Sequence, residues 1–251
     1  MEPQGTRWWR SAGWLGAGLI LLAALAAYAA FTRAPFFRLE RLTVEGNKHL
    51  SEAQVMLDTG VEPGESRWRN PADEVRRRLL QEPWVADAKV AWHLGGELHV
   101  QLLERQPLAL LHYHNLYLSV DNDGYVLDLV PALPGSRLPL ISGVQVPPVL
   151  RGDEIKDPGL AAALQALGQL RPEWSARVAE VTTNPDTYMT LYLTGALEGT
   201  QVKLGRSDRL EEKIGVLLSL WQLAEEKKLR VKYFSVENPG LPSMCLQNDK
   251  C

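Results

Sequence analysis

A chain of 251 residues has room for one or two domains, and with 45% hydrophobic residues it can bury a real core. Its net charge is −3, or −4 once Glu2, Arg7 and Arg10 are set aside, which argues against a nucleic-acid surface built on concentrated Lys and Arg. Cys245 and Cys251 are too few, and too late in the chain, for a disulfide framework or a zinc site. The sequence leaves open whether they pair.

The first element is Ser11 to Thr32, an uncharged apolar run between Arg10 and Arg33. As a helix rising about 1.5 Å per residue it spans about 33 Å, enough for the hydrocarbon core of a bilayer. Trp8, Trp9 and Trp14 before it, and Phe31, Phe36 and Phe37 after it, suit the interfacial zones. It reads as an uncleaved anchor behind a tail of residues 1–10. The competing reading is a signal peptide cleaved at Ala27-Tyr28-Ala29. Arginines flank the run on both sides, so the charge rule does not orient it.

After the run, Leu39, Leu42 and Val44 predict a strand that turns at Glu45-Gly46-Asn47. Ser51-x-x-Gln54 is a capping box opening a short helix through about Leu57. Asn70-Pro71 predicts an N-cap with proline at the first helical position. The helix it opens has Val75, Leu79 and Leu80 on one face, and Arg76-Arg77-Arg78 read as a solvated face. Residues 85–92 and 97–104 follow as strands around Leu94-Gly95-Gly96. Residues 38–106 are thus β-α-α-β-β, the order of a POTRA (polypeptide-transport-associated) domain.

Beyond Pro107 the pattern predicts a mostly β domain over residues 107–237. Three short strands come first, with a turn at Asp123-Gly124. A Pro/Gly-rich connector and the helical stripe Leu160, Leu164, Leu167 and Leu170 follow, then further strands. Asp208-x-x-Glu211 reads as a capping box for a long helix with Leu210, Ile214, Leu217, Leu218 and Trp221 inward. "LRVKYFSVENPG" is the closing strand. Its apolar positions change phase between Tyr233 and Phe234, which fits either a bulge or a strand covered on both faces. With residues 238–251 read as a tail, nothing later is expected to pair with it. The fold class is therefore α+β: a single N-terminal transmembrane helix, a POTRA domain, then a mostly β domain ending helix–strand.

No catalytic constellation emerges. G-x-S-x-G, H-E-x-x-H and phosphate-loop patterns are all missing, and no cofactor is implied. His112 and His114, with His99, lack the further ligands of a metal set, and Asp121-Asn122-Asp123-Gly124 reads as a hairpin turn rather than a calcium loop. What remains is surface for binding, above all at a sheet edge.

Several stretches in order resemble the FtsQ/DivIB family of bacterial cell-division proteins. They are "LTVEGNKHLSEAQV", "EPWVADAKV", "LHVQLLERQPLALL", "LYLSVDNDGYVL", "LPLISG", "VKLGRSD" and "LRVKYFS". The resemblance covers nearly the whole chain. It departs at Leu94-Gly95-Gly96, where the family usually has a proline, and at Arg230, where it usually has an acid. The resemblance implies a non-enzymatic, single-pass type II scaffold of the bacterial cytoplasmic (inner) membrane at the division septum. Its N-terminus would be cytoplasmic and both domains periplasmic.

The resemblance also implies partners of the FtsB and FtsL type, received by strand addition at residues 230–237. Arg206, Lys232, Tyr233 and Ser235 match the positions that would receive them. Other division proteins would engage the POTRA domain. The alternatives are a POTRA-type adaptor in envelope protein assembly or secretion, for which no barrel-length segment follows residue 107, and an anchored extracytoplasmic hydrolase.

Overall fold

A computed structural model describes residues 8–32, 37–131 and 138–249. Helix α1 (Trp8–Thr32) is 25 residues long. Its side chains are described from Gly18 to Phe31, so the expected membrane run falls partly outside them. Leu19, Ile20, Leu21, Leu22 and Leu25 are all exposed. Among the described residues, no helix is long and apolar enough to cross a membrane.

The chain divides into two compact units between Glu104 and Arg105, two residues before the expected boundary. In the first unit, β1 (Arg41–Glu45), α2 (Glu52–Thr59), α3 (Ala72–Leu79), β2 (Val85–Trp92) and β3 (Glu97–Glu104) follow in the predicted order. The sheet runs β1-β3-β2, with β1 parallel and β2 antiparallel to the central strand. Leu98, Val100 and Leu102 alternate inward from β3, with Val55, Val75 and Leu79 of the helices also buried. The Glu104 carboxylate, 9% exposed, accepts the backbone N–H groups of His49 and Leu50 at 2.7 and 3.0 Å, fixing the loop before α2.

Ser51 caps α2 as its spacing predicts, accepting the Gln54 N–H. The α3 start differs. Pro71, not Asn70, holds the N-cap position, and no side chain caps it. Asn70 is buried and serves as a bracket instead: it donates to Glu65 and accepts from Arg78, while its carbonyl accepts the Trp92 indole N–H at 2.9 Å. The arginine run is not simply solvated either. Arg76 donates to the Ala88 carbonyl of β2 at 2.8 Å and to Asp87, and Arg78 donates to the Thr59 carbonyl. A guanidinium seated on an edge carbonyl takes that hydrogen-bonding position away from an incoming strand.

The second unit holds β4 (Ala109–Tyr113), β5 (Leu116–Val120), β6 (Val126–Val130), β7 (Leu140–Ser142), α4 (Pro158–Gly168), α5 (Pro172–Ser175), β8 (Val178–Thr182), β9 (Met189–Leu193), β10 (Gln201–Gly205), α6 (Leu210–Glu226), β11 (Val231–Ser235) and β12 (Ser243–Leu246). Among the described residues, its nine strands form one mixed sheet, ordered β12-β11-β10-β9-β8-β7-β4-β5-β6. Inward residues such as Leu118, Ile141, Val181, Leu191 and Phe234 share one core with Leu160 and Leu164 of α4 and Ile214, Leu217 and Trp221 of α6. Trp221 and Phe234 are fully buried, and truncating either to alanine costs roughly 3–5 kcal/mol.

Two local devices fix the strand ends. Asp121, 1% exposed, accepts the N–H groups of Asp123 and Tyr125 and pairs with Arg105 at 2.7 Å. These bonds make the turn between β5 and β6. After β7, Gly143 adopts φ +86°, and a Cβ there would lie 1.9 Å from the Thr183 carbonyl oxygen, so only glycine fits.

Candidate functional site: the closing rim of the sheet

β10, α6 and β11 form a crossover unit: β10 and β11 are parallel neighbours, and α6 lies between them in the chain. Their register sets Gln201, Val202 and Lys203 against Tyr233, Phe234 and Ser235. The phase change in β11 is a bulge. Against β12, Val231 faces Leu246 and Tyr233 faces Cys245, so Lys232 is the extra residue. Val231 and Phe234 both stay in the core, while Lys232 is thrown out to solvent.

This geometry corrects the expectation that the closing strand has no later neighbour. β12 pairs with β11 in antiparallel fashion, so residues 230–237 are a second-to-last strand and residues 238–251 are not merely a tail. Cys245 is buried in β12 and disulfide-bonded. Among the described residues, β12 is the end strand of the sheet on this side. At the other end, β6 is partly closed: Val126 exchanges backbone bonds with Gly152 and Asp153, and Arg151 donates to the Leu127 carbonyl.

The four expected binding residues divide into two places. Tyr233 and Ser235 are half-buried side by side with β10, and the Lys203 ammonium stands 4.3 Å from the centre of the Tyr233 ring, a cation–π contact. Lys232 is exposed on the bulge. Arg206 is also exposed, but it lies past the end of β10, on the loop leading to α6.

That loop is tightly held. Lys213, 1% exposed on α6, donates to the Arg206 carbonyl at 2.8 Å and pairs with Asp208 at 3.2 Å. The Lys213 hydrogen bond, with its charge, holds the Asp208 carboxyl below its ordinary value. The expected cap role of Asp208 is therefore not realised: Arg209 holds the N-cap position at φ +53°, without a side-chain cap. Ser207 donates to Thr187 at 3.0 Å, and the Tyr188 hydroxyl donates to Glu237 just beyond β11. That last bond pushes the Tyr188 phenol above its ordinary value.

Sequence reasoning missed β12 and Lys213. A signal for β12 was present, since Asn238-Pro239-Gly240 is a turn and Met244 and Leu246 follow at strand spacing. Lys213 gave none, because a lysine on a helix is ordinarily solvated. Among the described residues, no three His, Cys, Asp or Glu side chains are grouped to hold a metal.

The POTRA domain, FtsQ-type, matches residues 37–105, and the C-terminal domain of cell division protein FtsQ/DivIB matches residues 109–235. β12 lies past the matched residues. A POTRA unit followed by this second domain defines a bacterial cell division protein. The chain belongs to the FtsQ/DivIB family.

Similar proteins agree. Cell division protein FtsQ of Anaeromyxobacter sp. (strain K) is 29% identical over 217 residues, covering 84% of this chain and 71% of that protein. FtsQ of Syntrophotalea carbinolica is 26% identical, covering 80% and 71%. Cell division protein DivIB of Clostridium botulinum is 21% identical, covering 83% and 81%.

Proposed function

We propose that this protein is a non-enzymatic scaffold of the bacterial division complex, anchored in the cytoplasmic membrane by α1, with its N-terminus in the cytoplasm. In this reading both folded units stand in the periplasm at the septum and recruit FtsB- and FtsL-type partners that coordinate septal wall synthesis. The anchor reading rests on the uncharged run Ser11 to Thr32 and on the exposed leucines of α1. Such side chains need an apolar surround.

The observation that carries the partner reading is the open rim strand. Among the described residues β12 has one strand neighbour, β11, and stands at the end of the sheet, where a partner strand would pair. Docking expected at residues 230–237 therefore moves outward by one strand, to Ser243–Leu246. Lys232, exposed on the β11 bulge, and Arg206, exposed on the loop after β10, are the cations this reading assigns to acidic groups of the partner.

A photo-crosslinker at Met244 of the full chain, in dividing cells, tests this reading. Crosslinks to an FtsB-type protein are expected, and fewer from the core-facing Phe234. If positions 243, 244 and 246 all label no partner while the cells divide normally, the rim is not the docking site. Fusions of compartment reporters after Phe37 and at the C-terminus test topology, and cytoplasmic activity from both would overturn the anchor orientation.

A further inference from the structure

A second surface lies at the other end of α6. The helix is 17 residues long, so about 25 Å separates its two ends, with Arg206 before its start. Past its last turn, Arg177, Leu197, Ala224, Lys228, Leu229 and Arg230 line a cavity of about 630 Å³. Leu197 and Ala224 are buried and Leu229 half-buried, giving an apolar floor. The rim is cationic: Lys228 and Arg230 are exposed, and neither has an ion-pair partner among the described residues.

Glu225, the cavity's one carboxylate, is already taken. It pairs with Arg177 and accepts the Trp221 indole N–H at 3.2 Å. Arg177 is further held against the Trp174 ring, 5.4 Å from its centre. Lys228 adopts φ +51°, a conformation a lysine occupies only when its surroundings hold it there. Cations near a helix C-terminus offset its dipole, and that accounts for Lys227 and Lys228. It does not account for Arg177, before β8, or for Arg230, before β11. Unpaired cations around an apolar hollow complement carboxylates that flank an apolar side chain.

We propose that this cavity docks a protein segment in which an apolar residue is flanked by acidic ones, a contact separate from the strand addition at β12. The occupant seats its apolar side chain over Leu197, Ala224 and Leu229, and its carboxylates reach Lys228 and Arg230. Because the contact is made by side chains rather than a strand edge, it stands whether or not a strand adds to β12.

The test uses the full chain in detergent micelles and fluorescence anisotropy of short labelled peptides. One peptide carries a Leu-Leu pair flanked by glutamates; a second replaces the leucines with serines, and a third replaces the glutamates with lysines. The first is expected to bind, more weakly at high salt, and the double variant Lys228→Glu/Arg230→Glu to weaken it roughly tenfold. Both residues are exposed, so the variant is expected to keep its fold, read by circular dichroism, and its crosslinking from Met244. Unchanged affinity in the double variant would overturn the proposal. Equal binding of the serine peptide would do so as well, since the apolar floor would then play no part. Binding of phosphatidylglycerol vesicles that depends on Lys228 and Arg230, without peptide binding, would assign the rim to lipid and reject the segment.

Discussion

The ammonium of Lys213 donates to the carbonyl oxygen of Arg206 at 2.8 Å, from a side chain only 1% exposed. A cation inside the fold is thereby used to shape the loop that presents another cation outside it. The loop ordered this way turns the chain from β10 into α6, and Gly205 just before it lies against Glu237 past the end of β11. Replacing Lys213 with methionine keeps the volume but leaves that carbonyl without its donor. Destabilisation of about 1–3 kcal/mol is expected in urea unfolding, with faster hydrogen exchange at residues 205–209. An unchanged midpoint would show that the bond contributes nothing.

The Tyr188 hydroxyl, donating to Glu237, gives the sheet end a dependence on alkaline pH. A phenol whose folded value lies above the ordinary value of 10.0 contributes stability that is complete below that value. The contribution is lost as pH rises through the raised value. Tyrosinate absorbance of the native protein should include one late-ionising tyrosine, missing from Tyr188→Phe. Identical titration curves for the two proteins, after allowing for one tyrosine fewer, would refute the assignment.

Gly143→Ala meets the Thr183 carbonyl at 1.9 Å and places a side chain at φ +86°. It is expected to cost at least about 2 kcal/mol and to lower the thermal midpoint. Gly168→Ala is the control. It ends α4 with nothing within 4 Å of the new methyl, so it should be neutral or slightly stabilising.

Cys245, in the rim strand β12, is disulfide-bonded. Reduction, or Cys245→Ser, should speed exchange of the β12 amides roughly tenfold, equivalent to about 1.4 kcal/mol of lost local stability. The β8 and β9 amides should stay protected. If β12 exchange does not respond to reductant, the disulfide does not hold the rim.

Much of the fold was legible because the strongest signals are local. Ser51-x-x-Gln54 set the start of α2, Asp123-Gly124 the β5–β6 turn, and the Leu210, Ile214, Leu217, Trp221 stripe the inward face of α6. Each is a matter of a few consecutive residues and one periodicity. Most of the misses are long-range. Nothing near Asn70 shows that Trp92 and Arg78 will converge on it and leave Pro71 at the cap. Arg76 looks solvated until β2 places the Ala88 carbonyl within its reach. The candidate site was half legible: the strand and its odd phase were visible, but a four-residue strand after a Pro-Gly turn carries too little periodicity to stand out. Without it, the wrong strand looked like the edge.

That short strand changes what cutting the chain would mean. A version ending at Glu237 stops two residues past the β11 bounds and resembles a harmless trimming of the C-terminus. It would in fact strip the neighbour from β11, leaving a bulged strand with Tyr233 beside a naked ladder of backbone groups. Such a molecule is expected to self-associate through that new border. A loss of partner binding measured on it would then report clumping rather than the removal of a docking strand. Point substitutions within Ser243–Leu246, which leave the backbone in place, separate the two.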